Sequence, residues 1–397
     1  MKILSLNIKG FRSLKDVSWE PGDLNVVIGP NATGKSNLLR MLELISVSAA
    51  GGLGKHVQRW GGMVPLVWDG TSEEIGYRVK TSPIDPHRDI DRDSLTYEFA
   101  MERIGKTGAF RIGHELLGNY NPVERGERRE PFKFLERRAV HGVVFDEKEK
   151  VLAKSEAILE EESLLSVSGG PLASNHFVAE FRSEIAAWCV YHDFHVNADA
   201  PIRQPAVTRH ENRVEPDGQN LVSVLHTLYT GDRDFRSSVD EAMKVAFGED
   251  YEGLAFPPAA EQRIQLGVHW KSLRRAQSAS DLSDGTLRFL FLLAVLASPS
   301  PAPVLAIDEP ETGLHPSMLP IVAEYAVEAS SRAQIVFTTH SAQFLDAFAE
   351  TRPLTTVARR VAGETQLKKL QGEALDYWLN EYSLGALFRS GELEELE

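Results

Sequence analysis

A single cysteine, Cys189, stands in 397 residues. One thiol closes no internal disulfide and builds no zinc cluster, and its place in the apolar run Ile185–Tyr191 reads as a small buried apolar residue. Long apolar runs are missing as well. The longest, Phe289–Ala297, falls far short of the ~20 residues that span a bilayer, and Met1–Gly10 lacks the profile of a secretory leader. A cytoplasmic protein with no membrane partner is expected. There is no excess of basic charge: 43 Lys and Arg face 57 Asp and Glu, a net charge of -14. That balance argues against nonspecific wrapping of nucleic acid by a monomer and leaves a local basic groove open. No heptad pattern persists over the three or four repeats a coiled coil needs, so long protruding arms are not expected. What remains is ordinary for a globular chain, 42% hydrophobic and 25% charged, at a length that suggests two or three lobes.

Against this background one stretch dominates. Gly29-Pro30-Asn31-Ala32-Thr33-Gly34-Lys35-Ser36 follows the apolar run Leu24–Ile28 and precedes the helix-like Asn37–Ile45. Strand, glycine-rich loop, helix is the context of a phosphate-binding loop. The glycines let successive N–H groups turn toward phosphate oxygens, and the helix N-terminus adds positive potential. Lys35 is placed for the β- and γ-phosphates of ATP, and the Ser36 hydroxyl for a Mg²⁺ shell.

Before the loop, Ile3, Leu6 and Ile8 mark a half-buried strand that ends at Gly10-Phe11-Arg12-Ser13-Leu14. Arg12 reads equally as a neighbour of the phosphates or as a solvated turn arginine. After it, Ser94–Glu102, Ala109–Leu117 and Pro131–Phe145 carry strand patterns that suggest an antiparallel sheet. Arg125, Arg128, Arg129, Lys133, Arg137 and Arg138 interleave with Phe132 and Phe134 as on a nucleic-acid surface. Their acidic neighbours Glu124, Glu127, Glu130 and Glu136 favour a solvated mixed-charge edge instead. From Glu147 to about Ala246 the pattern turns helical, clearest over Val151–Leu165, Phe177–Tyr191 and Leu221–Tyr229.

Chemistry returns near the end. Asp281-Leu282-Ser283-Asp284-Gly285-Thr286 opens an apolar helix; it is either a serine N-cap with a tight turn or an anion site built from Ser283 and Gly285. Val304–Ile307 is a buried-strand run ending in Asp308-Glu309-Pro310-Glu311. Two carboxylates at such a strand end repel each other and lose hydration, so a metal or a reaction accounts for them best. Asp308 is the candidate Mg²⁺ ligand and Glu309 the candidate for polarising an attacking water. The next strand, Gln334–Thr339, ends at His340, placed for a γ-phosphate or for that water. Lys271, Arg274 and Arg275 form the best candidate basic patch, with solvated charge an equal reading.

These motifs, in this order and approximate spacing, resemble the ATP-binding-cassette ATPases. More narrowly, Gly10–Leu14, Lys35-Ser36-Asn37, Leu282–Thr286 and Glu311-Thr312-Gly313-Leu314-His315-Pro316 look like the SMC/RecF-like branch, and within it the stand-alone AAA-type ATPases related to the ATPase part of OLD-family nucleases. Residues 1–45 and 278–348 carry the resemblance strongly, and Asp217-Gly218-Gln219-Asn220-Leu221 more loosely. It implies an α/β fold, an ABC-type ATPase with a parallel core sheet, an antiparallel β subdomain and a compact helical insertion without a long coiled coil. Residues 1–145 would form the N-terminal ATPase lobe, 146–260 a mainly helical insertion and 261–397 the C-terminal lobe. The resemblance further implies a head-to-tail homodimer with two ATP molecules sandwiched between Gly29–Ser36 of one chain and Ser283 and Gly285 of the other. Arg12 and Asn37 join the nucleotide-binding set, Ser36 and Asp308 hold Mg²⁺, and Lys35, Glu309 and His340 serve catalysis. No switch-loop glutamine is identifiable; Gln58 is the nearest candidate.

The function implied is ATP-driven dimerisation that controls a DNA-directed process, in repair or in defence against foreign DNA. A transporter motor is the alternative, but the segment from Ser36 to Ser283 is longer than such a motor needs. An OLD-like nuclease is another, but the tail after His340 is short and has no Asp-x-Asp pair. A separate effector or nuclease partner is therefore expected, with DNA as the nucleic acid.

Overall fold

The computed structural model describes all residues except 106, 121–130, 147, 149, 156–157, 170–174, 193, 349–350, 371–382 and 392–397. Arg125, Arg128 and Arg129 and their acidic neighbours, and the acidic end of the chain, lie outside the described residues. The described residues fall into two compact units. One comprises Met1–Trp188 and Leu354–Leu370; the other comprises Cys189–Pro353 and the described C-terminal residues.

The first unit is built on an eight-stranded antiparallel sheet. Its strands are β1 (Ile3–Phe11), β2 (Leu14–Trp19), β4 (Glu74–Thr81), β5 (Leu95–Arg103), β6 (Phe110–Asn119), β7 (Phe132–Arg138), β8 (His141–Phe145) and β9 (Val151–Ser155), in the order β2-β1-β4-β5-β6-β7-β8-β9. Alternation explains the inner strands: Leu6, Ile8, Val79, Tyr97, Met101 and Ile112 are buried while Lys9, Arg78 and Arg111 point outward. Separately, β3 (Leu24–Ile28) pairs in parallel with Leu354–Val361, which continues antiparallel into Glu364–Lys369. All five residues of β3 are buried, as befits a strand covered on both faces. Helix α1 (Lys35–Ala50) follows, with Leu38, Leu39, Leu42 and Ile45 fully buried.

A polar node ties this unit together. The buried Glu115 carboxylate accepts from the Leu164 and Leu165 amides, both at 2.7 Å, and from the Tyr97 hydroxyl at 2.9 Å. It caps the short helix Leu164–Ser168, while burial raises its pKa. Arg137 is equally buried and donates to the Ala139 and Leu159 carbonyls. Lys133 and Arg138 both pair with Glu136. The described part of the basic stretch is therefore a structural core arginine and a mixed-charge edge.

In the second unit, Cys189–Tyr191, Val304–Asp308 and Gln334–Thr339 pair in parallel, with the Val304–Asp308 strand in the middle. Helices Leu221–Gly231, Arg233–Phe247, Asp284–Leu296 and Leu319–Ser330 and several two- to five-residue strands complete it.

Two segments differ from their sequence reading. Val151–Ser155 is a strand, paired with β8, and the helix begins only at Leu164, where Ser163 caps it by accepting from the Ser166 amide. The helix read as Phe177–Tyr191 spans His176–Ala186, and Cys189-Val190-Tyr191 pairs with Leu305–Ile307. Val178, Phe181 and Ile185 keep helical spacing, but β-branched and aromatic residues continue the apolar run past the helix end. The Cys189 thiol is half-buried, and burial raises its pKa. Among the described residues no helix is long and apolar enough to cross a membrane, and none exceeds the 16 residues of α1.

Candidate functional site

In the first unit the chain leaves β3 at Gly29 (φ 145°) and passes Ala32 (φ 66°) and Gly34 (φ 100°) before entering α1. Gly34 is the helix N-cap, has no side chain to cap with, and the first turn holds no acidic residue. The orphan N–H groups and the positive helix end therefore keep their capacity for an anion. Lys35 is 5% exposed and its ammonium donates to the Gly29 and Pro30 carbonyls at 2.7 and 3.0 Å, curled over the loop it follows. Thr33 closes the turn by donating to Pro30 O at 2.8 Å. Pro30, Asn31 and Ala32 are exposed, and Ser36 and Asn37 are half-buried on the first helical turn. This backbone, with one lysine and one hydroxyl at the helix start, fits a nucleotide phosphate and its Mg²⁺.

The loop is held by a relay that local motifs do not reveal. Asn37 Nδ2 donates to Ser13 Oγ at 2.8 Å, Ser13 Oγ and Thr365 Oγ1 are 2.7 Å apart, and Thr365 Oγ1 donates to Thr33 O at 2.8 Å. A hydroxyl has one proton; with that of Thr365 on Thr33 O, the middle bond runs from Ser13 to Thr365. Loop, β1–β2 turn and C-terminal hairpin are thus fastened at one buried point. Thr365→Val keeps the β-branched shape and removes the relay. It should weaken nucleotide binding about tenfold, the worth of one buried hydrogen bond and its stranded partner, while Thr365→Ser restores it, as titration with a fluorescent ATP analogue would show. Equal affinity in wild type and Thr365→Val would mean that the relay does not hold the loop.

Arg12, in the same β1–β2 turn, has φ 48° and donates its amide to Leu66 O at 2.7 Å. Its guanidinium lies 5.1 Å from the Trp60 ring centroid, and Arg40 lies 5.7 Å from the same ring. Burial, then the repulsion of Arg40, lowers the Arg12 pKa. Two guanidiniums on one indole favour an added anion. Gln58 is exposed on the helix Leu53–Arg59.

The second unit collects the acidic set. Asp308 ends its strand, accepts from the Thr338 hydroxyl and lies 3.7 Å from His192 Nδ1. Glu309 has φ 47°, unusual for a non-glycine residue and more so before a proline. Its amide donates to Thr338 O at 3.0 Å and its carbonyl accepts from the Thr312 amide at 3.0 Å, so backbone bonds on both sides hold the turn. The result aims Glu309 Oε1 at His340 Nδ1, 3.0 Å away, with both side chains partly exposed. Behind them Glu311 accepts from the Thr339 hydroxyl at 2.5 Å, and Thr339 Oγ1 accepts from the Ser341 amide at 2.9 Å, which fixes the turn bearing His340. Burial, with added repulsion from Glu309, raises the Glu311 pKa. A cleft beside Asp308 and Glu309 is lined by Tyr191, His192, Phe194 and Arg288.

Ser283 caps the helix Asp284–Leu296 by accepting from the Thr286 amide at 3.1 Å. A Cβ on Gly285 would stand 2.7 Å from Gly313 O, so the backbones meet there and only glycine fits. Lys271 pairs with Glu249, and the neighbouring Ser272 bonds Asp250, which sets two carboxylates against the Lys271–Arg275 patch.

Structure thus brings Asp308, Glu309 and His340 together in one unit and orders Gly29–Asn37 with Arg12 in the other. Sequence reading missed His192 and Thr365. His192 follows a three-residue strand mistaken for the end of a helix; the run Cys189-Val190-Tyr191, rich in β-formers, was the available signal.

A family model described as "AAA domain, putative AbiEii toxin, Type IV TA system" matches residues 24–346. The chain belongs to this family. Beyond that family, it is similar over a short stretch to RecF and in fold to SMC head domains. Over 49 residues it is 51% identical to the DNA replication and repair protein RecF of Chlamydia caviae, a stretch covering 12% of this chain and 13% of that one. The chain therefore matches about an eighth of that curated relative's length. Among solved structures, the SMC head bound to the C-terminal winged-helix domain of ScpA is similar with a TM-score of 0.59 at 13% identity, covering 95% of this chain and all of that one. The Pyrococcus furiosus Smc head with an extended coiled coil, bound to the C-terminal domain of ScpA, has a TM-score of 0.57 at 12% identity, covering 96% and 99%.

Proposed function

We propose that this AAA-family protein hydrolyses ATP and that ATP drives two copies into a head-to-tail dimer controlling a DNA-directed process, in repair or in defence against foreign DNA. The observation that carries the reading is the Glu309–His340 pair, 3.0 Å apart beside Asp308 at the end of a buried parallel strand. Gly29–Ser36, Asn37 and Arg12 bind the nucleotide, with Lys35 on its phosphates. Ser36 and Asp308 would serve as Mg²⁺ ligands, and the ion would neutralise phosphate charge. Glu309 takes the proton of the attacking water, and His340 steadies the Glu309 carboxylate through the bond already formed in the protein. Ser283 and Gly285 act on the nucleotide of the second copy.

A DNA-directed role is supported by the RecF stretch. A separate protein partner is supported by the two SMC heads, each solved with a piece of ScpA. The experiment is ATP turnover as a function of protein concentration. Reaction between two copies makes specific activity rise with concentration, and Ser283→Arg should lower turnover by about 10²-fold, the cost of ångström-scale misplacement in a site. Binding of nucleotide by Ser283→Arg should stay within about twofold of wild type, since Ser283 is no part of the set Gly29–Asn37 and Arg12 that binds the chain's own nucleotide. Concentration-independent turnover unaffected by Ser283→Arg would sink the head-to-tail reading.

A further inference from the structure

One guanidinium in the second unit does more than its neighbours. Arg203 closes the single-turn helix Pro201–Arg203 and its side chain is 7% exposed. Nε donates to Val196 O at 2.7 Å, within its own segment. Nη1 donates to Leu282 O at 2.7 Å and Ala279 O at 3.0 Å, with a longer contact to Ser280 O at 3.4 Å. Nη2 is bonded to the Asp284 carboxylate. Every group beyond Val196 belongs to 279–284, the segment that ends in Ser283 and opens the helix Asp284–Leu296. The planar fork of arginine reaches carbonyls and a carboxylate together, which a lysine ammonium cannot.

The same turn also meets backbone, since a Cβ on Gly285 would stand 2.7 Å from Gly313 O. Ser283 and Gly285 are thus held by a close backbone contact and an arginine clasp. The clasp itself hangs from residues that follow the strand Cys189–Tyr191, neighbour of the strand bearing Asp308.

From this geometry we infer that Arg203 is the positioning residue for the Ser283–Gly285 turn, holding it in the shape with which one copy acts on the nucleotide of the other. The inference rests on the proposed head-to-tail reading. Arg203 touches no nucleotide itself; its loss leaves the chain's own phosphate loop and Glu309 intact and spoils only what the chain offers to its partner.

The test is complementation between two damaged chains. Arg203→Lys should lower kcat by about 10²-fold through misplacement of the turn, with KM for ATP within about twofold because the side-chain bonds of Arg203 go to Val196 and residues 279–284. Glu309→Gln alone should be nearly inactive. Mixed in equal amounts, the two should turn over ATP several-fold faster than the sum of each alone, because the mixed dimer holds one site with an intact Glu309 and an intact partner turn. Asp284 is 62% exposed, and Asp284→Ala removes the Nη2 bond of the clasp while the Nη1 bonds to the carbonyls remain; it should show the same pattern, near tenfold, as expected for one charge-assisted bond. It also serves if Arg203→Lys does not fold. Ser283→Arg mixed with Glu309→Gln is the reference. Recovery with Ser283→Arg but with neither clasp variant overturns the role of Arg203. Recovery with none of the three overturns the head-to-tail reading, and this inference with it.

Discussion

Replacing Glu309 by glutamine is expected to lower ATP turnover by about 10²–10⁴-fold, the range set by removal of a general base, while nucleotide stays bound. Glutamine keeps the length of the side chain and can still face His340 Nδ1 across the 3.0 Å that separates the pair. It cannot take a proton. The backbone gives the position its weight. A residue with φ 47° immediately before Pro310 carries local strain, of order 1–3 kcal/mol for such conformations, and the bonds to Thr338 O and from the Thr312 amide hold it there. Single-turnover phosphate release separates this from a binding defect. Wild-type turnover in the variant would move the base elsewhere, with the half-buried Glu311 the next carboxyl to examine.

Gly34→Ala should have an effect of similar size on a different step. The new Cβ would lie 2.1 Å from Thr365 Oγ1 and 2.6 Å from Ser13 Oγ, at a φ of 100° that side chains rarely adopt. Neither neighbour can yield cheaply, because both belong to the relay through Thr33 and Asn37. Strain and overlap together cost about 2–6 kcal/mol by the usual ranges for each, so either the loop or the hairpin must give way. Nucleotide affinity should fall more than about tenfold, the equivalent of 1.4 kcal/mol. Because both changes act on one bond network, Gly34→Ala and Thr365→Val should combine to less than the sum of their separate effects. Strict additivity would show that the glycine matters for some reason other than this contact. Calorimetric titration with ATP and Mg²⁺ reads both outcomes.

The parts of the protein legible from sequence are the local ones. Strand, loop and helix around Gly29–Ser36 are contiguous, and so are the Val304–Asp308 strand with Glu309 and the Gln334–Thr339 strand with His340; short range fixes their geometry. The β5 and β6 alternation is legible for the same reason, since pleating needs only neighbours. Thr365 lies more than three hundred residues from Thr33, and nothing about a threonine in a polar hairpin announces a phosphate loop. Arg203 reads as one more charged residue between Pro201 and Pro205 until the carbonyls of Ala279 and Leu282 appear around it. Cys189–Tyr191 reads as helix in the sequence because a parallel strand shows the same unbroken apolar run as a buried helix end.

The central claim is that ATP closes two copies of this chain on each other. Light scattering of Glu309→Gln, with and without ATP and Mg²⁺, tests it directly. The expected result is a monomer mass without nucleotide that doubles on adding ATP and Mg²⁺ and does not change when Ser283→Arg is also present. A mass indifferent to ATP, under conditions where titration shows the nucleotide bound, would contradict the account.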